Sequence, residues 1–192
     1  HLFRRAGCLN VRVPTSGPQR DKKWALSEGL RQRSSGRLDL VEALADLPAV
    51  VIRPGARASR AIDVEQLGID DVDGCAVLLQ TGADSRWGTH GYAEHSPYLT
   101  EAGARWLVDE GARLVGIDAV NIDDFEPSSG GRRPAHSVLL AAGIPVVENL
   151  TGLEQLPTTG ARFTAAPPML AGVGTFPVRA YASFSANLTG SV

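Results

Sequence analysis

The sequence predicts an α/β fold, a single domain with a mixed β-sheet and flanking short helices. Two observations carry this. Short apolar runs rich in β-branched residues recur along the chain, as in AVVIR, CAVLLQTG, RLVGID and IPVVEN. Segments with helical spacing and capping signals lie between them, and strands alternating with helices build parallel or mixed sheets. A length of 192 residues suits one domain with a real core. The 43% hydrophobic and 21% charged residues are ordinary for a globular protein.

Residues 1–37 show no sustained period. Turn formers and charge mix in VPTSGPQRDKK and again in QRSSGR. The segment holds nine basic and two acidic side chains, while residues 38–192 hold ten and nineteen. Low apolar content with high net charge argues against an independently packed element. Residues 1–37 are therefore expected to be a disordered tail or a stretch foreign to the domain, which would run over 38–192. A basic arm for nucleic acid needs a helical face of Arg and Lys or interleaved aromatics. The segment has one Trp, one Phe and no such face, so nucleic acid is not an expected partner.

From Leu38 the chain becomes periodic. LDLVEALADL places Leu40, Leu44 and Leu47 at helical spacing, with Pro48 as the stop. AVVIR reads as a buried strand, apolar on both faces. AIDVEQLGI reads as a strand end and one helical turn, and CAVLLQTG as a buried strand closed by Gly82. The loop ADSRWGTHGYAEHSPY is long and aromatic, and such loops are often functional. Thr100 caps the helix EAGARWLVDEG, Glu101 and Arg105 form an i,i+4 pair, and Gly111 ends it. RLVGID is the next strand. Pro134 opens a helix over HSVLLAAG, stopped by Gly143. IPVVEN is a strand, TGLEQL a helical turn, and ARFTAAPPML and GTFPVRAYASF two strands around a Gly/Pro-rich connection.

Several function classes have no support. No apolar run reaches the about 18 residues of a membrane helix, and the first residues lack a signal-peptide stretch. The expected setting is the cytoplasm, with Cys8 and Cys75 as reduced thiols. Serine-nucleophile elbow, P-loop, dinucleotide fingerprint and HExxH motifs are all missing.

The candidate chemistry centres on His136 and Glu148. His136 stands at a helix start and Glu148 at the end of an apolar strand. A carboxylate there is costly to bury unless paired or bound to a cation, and strand ends are where α/β sheets place their sites. An exposed strand end, or an ion pair with Arg132 or Arg133, is the plainer alternative for Glu148. GIDAVNIDD adds Asp118, at a strand end where it could line a site, and Asp123 and Asp124, which read as loop caps. His90 and His95 suit a ligand pair or a proton shuttle, but HSPYLT also reads as a simple turn before a capped helix. Trp87, Tyr92, Tyr98 and Trp106 are pocket walls or core aromatics.

The segments AVLLQTGAD, WGTHGY, HSPYLTEAGARWLVDEGARLVGIDAVNIDD, GRRPAHSVLLAAGIPVVENLTGLEQLP, ARFTAAP and GTFPVRAYA resemble the cyclase family that includes kynurenine formamidase. The resemblance runs from about Leu38 to about Phe184. It implies a swivelling β/β/α-like architecture and a metal-dependent hydrolase of N-formyl or cyclic amides, arylformamidase-like, with a small-molecule amide substrate. It also implies a divalent metal, zinc or manganese, and a homo-oligomer. The family's later ligand pair, a His before SxLL and a Glu after a GIPVV-type strand, looks like His136 and Glu148. Trp87 and Tyr92 become candidate substrate contacts, and Asp118 a residue that orients a ligand through a hydrogen bond. The family's earlier HxGTHxDxPxH-type ligand motif is absent from the sequence. The competing expectation is accordingly a catalytically inactive member that serves as a binding or assembly module.

Overall fold

The apolar runs become strands of a closed, mixed barrel. The computed structural model describes residues 8–12, 43–55, 59–68, 71–167 and 175–185, and for 8–12 the backbone path alone. The strands among the described residues are β1 Cys8–Arg12, β2 Leu47–Ile52, β3 Ala61–Ile62, β4 Ala76–Leu79, β5 Tyr98–Leu99, β6 Leu114–Ile117, β7 Val146–Glu148, β8 Ala161–Ala166 and β9 Thr175–Ser183. The α-helices are α1 Val64–Leu67, α2 Glu101–Asp109 and α3 Pro134–Ala141.

Seven strands close the ring in the order β1-β7-β6-β4-β2-β8-β9. Neighbours among β2, β4, β6 and β7 are parallel. β8, β9 and β1 are antiparallel to the strands beside them and complete the circle. β3 and β5 form a separate parallel pair.

Side chains of a strand alternate between faces, and here both faces are buried. Ala76 and Leu78 of β4, Leu114 of β6 and Val147 of β7 join Phe163, Phe176 and Val178 in one apolar cluster within the barrel. Val77, Leu79, Val115, Ile117 and Val146 point the other way, into a second cluster with Leu107 of α2 and Leu139 of α3. This double burial is why the parallel strands read as unbroken apolar runs. Gly116 of β6 lies where the barrel has no room: a Cβ there would fall 2.6 Å from Leu150 Cδ1 and 2.9 Å from Leu78 Cδ2.

The helix signals act as expected. Thr100 Oγ1 accepts the Gly103 amide at 3.0 Å, and Arg105 pairs with Glu101 at 2.6 Å. Pro134 occupies the first position of α3. Gly111 and Gly143 follow α2 and α3 with φ of +80° and +79°, where glycine carries no Cβ penalty.

Two expectations need revision. Leu47 and Pro48, read as the end and stop of a helix, instead begin β2. Pro48 lies opposite Arg162 near the start of that strand, where a missing donor is tolerated. Of the helix expected over 38–47, Ala43 and Leu44 are helical, and the residues before them lie outside the described ones. Cys8–Arg12, within the segment read as aperiodic, forms a strand between β7 and β9. It has no helix- or strand-length run of its own to announce it; its pairing comes from the two edges it bridges. The remainder of that segment lies outside the described residues.

Candidate metal centre at the ends of β6 and β7

The parallel strands β6 and β7 end side by side, and the chain after each turns back over the sheet. Glu148 is the last residue of β7 and is 2% exposed, so it is no exposed strand end. Asn149 follows with φ of +63°, a left-handed conformation that Asn adopts more readily than most residues. Its amide donates to Ala119 O at 3.0 Å, and the Leu150 amide donates to Ile117 O at 3.0 Å. The loop after β6 is thereby laid across Glu148, and the Ile122 amide donates to Glu148 Oε1 at 2.9 Å.

His136 is the third residue of α3 and is 1% exposed. Its Nδ1 lies 2.5 Å from Asp123 Oδ2, and its Nε2 lies 3.5 Å from Glu148 Oε1. The second distance is too long for a good N–H···O bond, and Nε2 is a buried polar atom with no hydrogen-bond partner among the described residues. Asp123 also reaches the helix itself: Oδ1 accepts the Ala135 amide at 2.7 Å, and Oδ2 lies 3.4 Å from the His136 amide. Residues twelve apart in sequence thus face each other because a helix start and a strand end meet at one edge of the sheet.

Asp118 is placed differently from expectation. Its oxygens accept from the Thr81 amide, the Thr81 hydroxyl at 2.5 Å and the Gly82 amide at 2.7 Å. It fastens the turn after β4, and the carboxylate on the His136 ring is Asp123. Burial raises the Asp118 carboxyl above the usual carboxylate range, against the lowering effect of those hydrogen bonds. Sequence reasoning read Asp123 as a loop cap, whereas its carboxylate accepts from the first turn of α3. Its contact with His136 spans thirteen residues and had no local signal.

Tyr92 is buried in the aromatic loop. Its hydroxyl donates to Asn149 Oδ1 at 3.1 Å and lies 3.4 Å from Asp118 O. Burial, with the nearby carboxylates of Asp118, Asp84 and Glu148, pushes the phenol well above its ordinary value. Trp87 stacks edge-on to Tyr92, with centroids 5.0 Å apart at 74°, and is 45% exposed. His90 and His95 are both exposed. His95 lies 3.6 Å from Glu126 through Nδ1, and its amide donates to Glu126 at 2.8 Å. Asp124 pairs with Arg60 at 2.5 Å and accepts the Glu126 amide, a loop-capping role. Cys75 is a free thiol, half-buried, raised by burial and by Asp71 and Asp73.

The pair can be tested for its fit to a metal. Zinc binds imidazole nitrogen and carboxylate oxygen at about 2.0–2.2 Å in tetrahedral geometry, which puts two ligand atoms roughly 3.4 Å apart. The 3.5 Å between His136 Nε2 and Glu148 Oε1 matches that edge. Imidazole with carboxylate also suits zinc or manganese by donor type. Asp123 faces the other ring nitrogen, and among the described residues no group of three or more His, Cys, Asp or Glu surrounds one point. The fit is therefore that of two donors of a larger set. A surface groove of about 560 Å³ between α2 and α3, walled by Glu101, Arg105 and Val138 among others, contains neither donor.

The buried imidazole–carboxylate pair lies beyond the parallel strand ends, the position where α/β sheets commonly carry their sites. Residues 30–124 match the family model Cyclase, described as "Putative cyclase". The match to this model covers just under half of the chain. The matched span begins inside the basic segment and ends before His136 and Glu148. Kynurenine formamidase of Geobacillus thermodenitrificans (strain NG80-2) is 31% identical over 122 residues, 63% of this chain and 56% of that protein. Kynurenine formamidase of Bordetella avium (strain 197N) is 33% identical over 106 residues, 54% of this chain and 47% of that protein. The chain thus spans about half the length of these relatives. Among solved structures, isatin hydrolase A from Labrenzia aggregata superposes with a TM-score of 0.72 at 25% identity, covering 91% of this chain and 71% of that one. A potential metal-dependent hydrolase with cyclase activity superposes at 0.67 and 23% identity over 91% and 76%, a likeness of fold.

Proposed function

We propose that the chain is a metal-dependent hydrolase of a small N-formyl or cyclic amide, with His136 Nε2 and the Glu148 carboxylate as two ligands of a zinc or manganese ion. The observation that carries this is the buried Nε2, without a hydrogen-bond partner among the described residues, facing a buried carboxylate across 3.5 Å. An imidazole nitrogen and a carboxylate so close and without a hydrogen bond between them suit two positions of a cation site. A divalent ion held there supplies Lewis acidity toward a carbonyl oxygen and acidifies water to about neutral pH.

The chain's own groups prepare this site. The Ile122 amide holds one oxygen of Glu148. The barrel on one side and α3 on the other keep bulk water from both donors. Tyr92 ties the aromatic loop to Asn149, one residue past Glu148, and leaves Trp87 partly exposed on its outer side. That edge suits contact with an aryl substrate. Relatives named for a formamide and for isatin, a cyclic amide, support the substrate class. The same reading carries a cytoplasmic, homo-oligomeric protein. No helix among the described residues is long and apolar enough to cross a membrane.

A second reading, an inactive binding or assembly module, is favoured by one observation. The HxGTHxDxPxH-type motif is missing from the sequence, and two donors alone hold a catalytic metal weakly, since such sites use about three. Metal analysis of the purified protein decides between them, together with assays on an aryl formamide and on isatin. Stoichiometric zinc or manganese that is lost in His136→Ala, with hydrolysis of either substrate, is the expected result. A folded, metal-free protein inert toward both overturns the hydrolase reading in favour of the second.

A further inference from the structure

We infer that Asp123 is a positioning residue for the site, acting through His136 by fixing which ring nitrogen carries the hydrogen. The inference rests on the proposed metal-binding role of His136, and deepens it. Three contacts converge on this one carboxylate: Ala135 N at 2.7 Å, His136 N at 3.4 Å and His136 Nδ1 at 2.5 Å. The residue preceding α3, Arg133, makes no side-chain capping hydrogen bond. Asp123 therefore supplies from another loop the acceptor that the first turn of α3 needs. The same side chain then grips the ring that projects from that turn.

The consequence for the ring is chemical. A carboxylate only accepts hydrogen bonds when ionised, so a neutral imidazole beside it donates from Nδ1. Its Nε2 then carries a lone pair, and this is the nitrogen found buried and unpartnered beside Glu148. An acceptor on one nitrogen thus makes the other a ligand and holds its direction. Asp123 is 2% exposed, and its neighbour Asn121 turns the loop by accepting the Asp123 amide at 2.9 Å. The loop that carries Asp123 is also the loop whose Ile122 amide holds Glu148. One short segment therefore orients both donors.

Asp123→Asn separates this role from helix capping. The amide oxygen can still accept the Ala135 amide, while the amide NH2 is left facing Nδ1. A donor there moves the ring hydrogen to Nε2. Imidazole 15N shifts of the metal-free protein, selectively labelled at histidine, report the tautomer directly. The wild type is expected to show His136 with hydrogen on Nδ1, and Asp123→Asn to show it on Nε2. Zinc affinity, measured by competition with a chromophoric chelator, is expected to fall by about 10–100-fold in Asp123→Asn, with unchanged circular dichroism. Asp123→Glu, which restores an acceptor, is expected to recover the wild-type tautomer and part of the affinity. An unchanged tautomer in Asp123→Asn, or an unchanged zinc affinity beside a wild type that binds, overturns the inference. A wild type that binds no zinc but shows the predicted tautomer switch counts against the metal site alone. Should Asp123→Asn not fold, the wild-type shifts still decide: hydrogen on Nε2 in the wild type overturns the inference.

Discussion

The Tyr92 hydroxyl donates to Asn149 Oδ1 at 3.1 Å, joining the long aromatic loop to the residue immediately after Glu148. The bond is buried, and Asn149 is in a left-handed conformation. The loop therefore acts as a brace on the turn that ends β7, and Trp87 leans on the brace from outside.

Tyr92→Phe removes this bond and leaves a buried amide oxygen without its donor. The expected cost is about 1–3 kcal/mol, the penalty of an unsatisfied buried group. Urea unfolding at equilibrium measures it. The phenyl ring remains available to Trp87, so the loss should appear in the unfolding midpoint without a change in slope. A midpoint unchanged from wild type would show that the hydroxyl braces nothing.

Gly116→Ala tests the tightness of the barrel. The added methyl would lie 2.6 Å from Leu150 Cδ1 and 2.9 Å from Leu78 Cδ2, both buried. Overpacking of this kind costs roughly 1–3 kcal/mol. Because Leu150 is two residues past Glu148, the strain should reach the site. Thermal unfolding is expected to fall by several degrees, and zinc affinity to fall with it.

Asp118 gives a pH dependence of defined sign. Its carboxyl is raised in the folded protein, chiefly by burial. The folded state therefore keeps the proton at pH values where the unfolded chain, with an ordinary carboxylate near about 4, has released it. Its contribution to stability is full below that unfolded value and is lost as pH rises toward the folded one. The wild type minus Asp118→Asn difference in unfolding free energy should decline across that acid window and level off above it. Chemical denaturation at a series of pH values checks this, and a difference that rises with pH would refute the burial argument.

Much of the fold was legible locally. The parallel strands β2, β4, β6 and β7 announced themselves as apolar runs because each is covered on both faces. Thr100, Pro134, Gly111 and Gly143 marked the helix ends because caps are satisfied within a turn of chain. β1 was not legible, since its five residues gain structure only from β7 and β9 on either side. Pro48 was misread for a related reason: a proline ends a helix and can also begin a strand, and the pairing with β8 decides which.

For the candidate site, the sequence by itself determined the residue types and their positions at element ends. His136 stands in the first turn of a helix, Glu148 closes a strand, and the residue pattern around them carries the family resemblance. Only the tertiary structure decided what each donor faces. It set Nε2 against Glu148, brought the Asp123 carboxylate to Nδ1, and turned Tyr92 inward onto Asn149. These contacts join residues 12 to 57 positions apart. Short-range pattern records what a residue does within its own turn or strand. Which carboxylate meets which nitrogen is settled by how the loops after β6 and β7 fold across the end of the barrel.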